Sequence, residues 1–107
     1  MAFEIEWLTG VQNELDAEIA FVLNEFGFKA AQKAYLRIQD HINCLTTFPQ
    51  IGTLYPELTY KDFEVRKLVI RQVTVFYSPQ PDKVTILAVW NNYQNPANIP
   101  YRLSDLE

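Results

Sequence analysis

The sequence predicts an α+β fold, a helical hairpin packed on a small, mostly antiparallel sheet in the order β-α-α-β-β-β. Three observations predict it. Residues 3–8 alternate apolar and acidic side chains with period two. Two stretches with helical apolar spacing follow, divided by Gly27. Three apolar segments rich in β-branched residues then occupy residues 62–90. Period two marks strands and a 3–4 spacing marks helices, and helices grouped before strands put both helices on one face of the sheet.

In the first strand Phe3, Ile5 and Trp7 form the apolar side and Glu4 and Glu6 the wet one. Thr9 with Gln12 three residues on reads as a capping box that opens the first helix. Val11, Leu15, Ile19, Val22 and Phe26 give that helix one apolar stripe, and Gly27 ends it. The second helix runs from about Lys29 to Thr46, with Ala31, Ala34, Tyr35, Ile38, Ile42 and Leu45 as its stripe. Pro49 disfavours helix at Phe48, and the short link Phe26-Gly27-Phe28 makes the pair antiparallel. Pro49, Gly52 and Pro56 punctuate a connection over 49–61, which Tyr55 and Tyr60 are expected to pin. Asp62 to Ile70 reads as a strand, Arg71 to Tyr77 as the next, and Lys83 to Trp90 as the last. On the last, Val84, Ile86, Ala88 and Trp90 are expected to share one side. Ser78 to Asp82 is a proline-rich turn, and Asn91 to Pro96 a polar exit.

At 107 residues the chain is expected to form a single domain, 1–107. With Cys44 alone, no internal disulfide or cysteine-pair zinc site can form. The longest apolar run, Ile19 to Leu23, is far short of the roughly 18 residues a membrane span needs. The acidic N-terminus lacks the basic start of a signal peptide, so a cytoplasmic protein is expected. The net charge is −4 with a pI of about 4.9. Residues 1–28 hold six acids and no base, whereas 29–107 hold nine bases and seven acids. That balance excludes stable nonspecific nucleic-acid binding but leaves room for a local basic face.

The segments Val65-Arg66-Lys67-Leu68-Val69-Ile70, Val75-Phe76-Tyr77 and Val84 to Trp90, with Gln94-Asn95-Pro96 after them, carry a family likeness. Together with the element order and the length, they resemble the RelE/ParE superfamily of type II toxin–antitoxin systems over about residues 3–103. The resemblance implies a toxin neutralised by a small antitoxin protein that wraps it. RelE-like members cut messenger RNA on the ribosome with basic side chains and an aromatic or histidine on the open sheet face, and ParE-like members poison DNA gyrase. Carried onto this chain, a nuclease set would be Arg66, Lys67, Arg71 and Tyr93. The second-strand position that matches a catalytic arginine is Thr74, however, Tyr93 stands where many members carry arginine, and Asn91 and Asn92 replace positions often basic or histidine. The resemblance therefore implies a ParE-like toxin and possible gyrase inhibitor. The alternatives are a ribosome-dependent mRNA endonuclease or an inactive homologue that keeps only antitoxin binding. No cofactor, metal or membrane partner is expected.

Each candidate residue also has a plainer reading. Arg66 and Lys67 point to opposite faces of a strand. With Arg71 they could contact an anion or the antitoxin, or could be solvated strand charges, Arg66 pairing with Glu14 or Glu18 of the first helix. Trp90 reads as a core or edge aromatic, and Tyr93 and Gln94 as loop residues able to meet a partner. His41 and Cys44, three apart on the second helix, read as a surface histidine and a small, half-buried cysteine rather than a ligand pair. Glu4 and Glu6 read as wet-face acids. Gly10, Gly27 and Gly52 are too scattered for a phosphate loop, and no Ser-His-Asp order is present.

Overall fold

A computed structural model describes residues 3–56 and 63–92. Strand β1 (Glu4–Trp7) leads into helices α1 (Val11–Phe26) and α2 (Phe28–Cys44). Strands β2 (Thr53–Leu54), β3 (Arg66–Ile70), β4 (Val73–Pro79) and β5 (Lys83–Asn91) follow. They form one sheet in the order β1-β5-β4-β3-β2. β1 runs parallel to β5 and every other pairing is antiparallel. The α+β class and the β-α-α-β-β-β order are those of the sequence, with the two-residue β2 added at the far edge. Two residues without alternation leave no strand signature to read.

The helical hairpin covers one face. Val11, Leu15, Ile38, Ile42 and Leu45 pack on Ile70, Val73, Val75, Tyr77, Val84, Ile86 and Val89. Beyond the sheet the two helices pack on each other through Val22, Ala31 and Ala34, where alanines allow close approach. Phe26 and Tyr35, expected in the stripes, are instead exposed, Phe26 by 71%. Among the described residues the hairpin tip packs in its own small cluster, apart from the core on the sheet. Gly27 is the entire link: its N–H donates to Leu23 O at 3.0 Å and its carbonyl accepts from Ala31 at 3.1 Å. Its φ of 91° suits glycine alone among common residues.

The capping box does not form. Gly10, with φ 88°, is the N-cap of α1, and no side chain caps that end. Leu8 O already accepts from Val11 N–H at 3.1 Å, so Thr9 sits inside a tight turn, one residue too early. α2 ends at Cys44, and 45–47 are turn. Cys44 is exposed and His41 half-buried, the reverse of expectation, because the last turn presents Ile42 and Leu45 to the core. β3 begins at Arg66 rather than Asp62, which lies outside the described residues along with Tyr60. The Arg71 strand start is also corrected: Arg71 and Gln72 make a two-residue turn closed by the Ile70–Val73 pair, with Arg71 at φ 55°.

β5 carries a register shift. Phe76 faces Ala88, but Tyr77 faces Ile86, so Leu87 is an extra residue. Val84, Ile86 and Val89 therefore pack under the helices, while Leu87, Ala88 and Trp90 join Val65 and Phe76 on the opposite face. The expectation that Ala88 and Trp90 share a side with Val84 and Ile86 fails at this bulge. The opposite face is not open here: Tyr55 and Phe63 pack on it, and the Tyr55 ring meets Phe76 edge-on at 5.3 Å. Among the described residues no helix is long and apolar enough to cross a membrane.

Candidate functional site

Strand geometry separates the basic residues that are close in sequence. Arg66 stands opposite Tyr77 and Lys67 opposite Phe76, so the two project to different faces. Arg71 lies past the other end of β3, about 16 Å of extended chain from Arg66. Tyr93 and Gln94-Asn95-Pro96 lie outside the described residues. What the fold brings together around these positions is two clamps.

The first clamp holds the loop between α2 and β2. Arg66 Nε donates to Glu64 Oε2 at 2.6 Å, and its Nη1 donates to Gly52 O at 2.7 Å and Gln50 O at 3.3 Å. Gly52 N–H donates to the Tyr77 hydroxyl at 2.8 Å. Ser78 Oγ donates to Glu64 O at 2.6 Å, which fixes the backbone that presents the carboxylate. Burial pushes the Tyr77 phenol up from its ordinary range, against the lowering effect of the Gly52 N–H and the Arg66 charge. Arg66 thus pairs with Glu64, not with an acid of α1. Glu14 and Glu18 turn instead to β5. β1 ends at Trp7, opposite Ile86, and beyond that point Glu14 Oε1 accepts the Val89 N–H at 3.2 Å. Glu18 Oε2 accepts from Asn91 Nδ2 at 3.2 Å, and burial raises the Glu18 carboxyl above its ordinary 4.5.

The second clamp closes on the β3–β4 turn. Asn92 Nδ2 donates to Arg71 O and Asn92 N–H to Gln72 O, both at 2.8 Å. Thr74 Oγ1 donates to Asn92 Oδ1 at 2.6 Å. Thr74 is only 6% exposed. The threonine and asparagine that interrupt the basic pattern in the sequence thus hold a turn. On the same side, Trp90 Nε1 and Thr85 Oγ1 are buried with no hydrogen-bond partner among the described residues.

The α2–β2 loop separates two hollows. One, about 620 Å3, is lined by Thr47, Phe48, Pro49, Gln50 and Ile51. The other, about 460 Å3, shares Pro49 and Gln50 and adds Phe3, Phe63, Glu64 and Pro79 to Pro81. No residue on either wall stood out in the sequence as functional. Pro49 and Gly52 read only as punctuation, and the exposure of Phe48 and Ile51 follows from a tertiary clamp. Among the described residues no His, Cys, Asp and Glu group could hold a metal. His41 Nδ1–H donates to Arg37 O at 2.7 Å, within its own helix. Glu4 and Glu6 are exposed, and Glu6 accepts from Lys83 Nζ at 3.0 Å. Shape, apolar contact and a few fixed polar groups suit these surfaces to binding.

The sequence model of a family described as "ParE toxin of type II toxin-antitoxin system, parDE" matches residues 5–96. A solved chain from the chromosomal ParDE TA system of P. aeruginosa superposes with a TM-score of 0.68 at 18% identity. The match covers 84% of this chain and 96% of that one, and at such identity it speaks for the fold. No curated protein matches the sequence.

Proposed function

This chain belongs to the ParE toxin family of type II toxin–antitoxin systems, and from that premise we propose that it arrests growth by inhibiting DNA gyrase and is held inactive by a small antitoxin. The observation that favours gyrase over messenger RNA is Thr74. It occupies the position of a catalytic arginine in nuclease relatives, is buried, and spends its hydroxyl on Asn92. Arg66 is committed to Glu64 and two loop carbonyls, and Lys67 lies on the other face. RNA cleavage needs several donors converging on one phosphate, and these two do not converge.

The test is induction of the chain alone and with the small gene beside it, together with a supercoiling assay on purified protein. Expected are growth arrest relieved by the neighbour and loss of gyrase supercoiling. Arrest with intact supercoiling and cleaved message on ribosomes would replace this reading with the endonuclease one. In that case Arg66→Ala and Tyr93→Phe should abolish the cuts.

A further inference from the structure

The two hollows beside the α2–β2 loop form one surface, because Pro49 and Gln50 line both. At one end Phe48 and Ile51 stand 61% and 57% exposed, too much apolar area on a short loop for simple solvation. At the other end Glu64 is the charged residue among the described ones that line it. Its Oε2 is held by Arg66, whose guanidinium turns to the Gly52 and Gln50 carbonyls and lines neither hollow. The charged group that the described residues turn to the hollow is therefore a carboxylate, about a third exposed and paired with Arg66 on one oxygen, on a chain that is −4 overall. The loop is also preorganised, since Tyr77 and Arg66 fix Gly52 from both sides of its peptide units. A surface that needs no ordering loses little entropy on binding.

We propose that this double hollow docks an extended segment of the antitoxin, with a large apolar side chain seated against Phe48 and Ile51 and a lysine or arginine shortly after it set against Glu64. The inference rests on the antitoxin reading above and adds where the partner sits and which charge it carries there. The hairpin tip, with Phe26 and Phe28 exposed, is the competing apolar surface.

Binding of the full chain to the small protein encoded beside it is measured at low and high salt by titration calorimetry. Ile51→Ser and Phe48→Ser are expected to weaken binding about tenfold or more, as loss of a central apolar anchor does. Glu64→Gln keeps an acceptor for Arg66 Nε, so the clamp stays. It is expected to weaken binding about tenfold and flatten the salt dependence, as loss of an ion pair does. Phe28→Ser and Val69→Ser, exposed elsewhere, should stay within about twofold, as sites outside the hot spot do. Wild-type-like binding by Ile51→Ser and Glu64→Gln overturns the proposal and leaves the antitoxin reading standing. So does loss of binding confined to Phe28→Ser, or tighter binding by Glu64→Lys. Self-association that Ile51→Ser abolishes would put a second copy on the surface and overturn it too. A neighbour that does not bind the wild-type chain removes both readings together.

Discussion

At Gly52 the backbone passes so close to Tyr77 that no methyl group fits between them. A Cβ there would lie 2.6 Å from Lys67 O and 2.6 Å from the Tyr77 hydroxyl. Gly52→Ala is therefore expected to cost about 2–3 kcal/mol of folding stability, read from denaturant unfolding, since backbone cannot yield as a flexible side chain would. Tyr77→Phe leaves the Gly52 N–H buried without its acceptor and should cost about 1–3 kcal/mol in the same measurement. Glu18 gives a pH signature. Its folded carboxyl titrates above the ordinary 4.5 because burial disfavours the charged form. Its contribution to stability is then fullest below pH 4.5 and is lost as pH rises through the folded value. Glu18→Gln keeps an acceptor for Asn91 and removes the titration. Across pH 4 to 7 the wild-type chain should lose stability relative to that variant, and a constant difference would refute the assignment.

At the scale of elements, the bulge in β5 decides which residues meet the helices. With Leu87 present, Val84, Ile86 and Val89 face α1 and α2, and Ala88 and Trp90 face away. Deleting Leu87 removes the bulge and restores strict alternation, in which Val84, Ile86 and Val89 still face the helices and Ala88 and Trp90 still face away, but it takes one buried side chain from the opposite face. We expect cooperative thermal unfolding to persist with a loss of about 2–4 kcal/mol, that of one buried leucine side chain, and loss of cooperativity would refute it. The hairpin tip behaves differently, because among the described residues Val22, Ala31 and Ala34 pack in a small cluster of their own. Amide exchange should be faster around Gly27 than in β4 and β5.

Across the whole molecule, charge is sorted by element. β1 and α1 carry Glu4, Glu6, Glu14, Asp16, Glu18 and Glu25. They lie against β5, whereas α2 with Lys29, Lys33 and Arg37 contacts β3 with its Arg66 and Lys67. One edge is acidic and the other mildly basic. A labelled single-stranded RNA is expected to bind no tighter than about 10⁻⁴ M at physiological salt, since these five bases, Arg66 among them already paired with Glu64, neutralise few phosphates. Fluorescence anisotropy checks it, and micromolar binding would refute it.

Periodicity sufficed for the class and order of elements, because apolar spacing reports which side of an element meets a core. It placed the stripes of α1 and α2, the end of α1 at Gly27, and the opposed directions of Arg66 and Lys67. The family that the match over residues 5–96 shows was reached differently, by resemblance of the Val65 to Tyr77 and Val84 to Pro96 segments, the element order and the length. Contacts between distant residues were beyond periodicity. Arg66 meets Gly52 across fourteen positions and Glu14 meets Val89 across seventy-five, and no local pattern encodes such pairs. The bulge at Leu87 inverts a face with one residue that looks like its neighbours, and Phe26, in step with the α1 stripe, is exposed at the hairpin tip. The amino-acid order thus determined the parts, through local spacing and backbone preference. Only tertiary packing decided which charges are consumed in clamps and which surface is left to bind, because those outcomes depend on where separate elements come to rest.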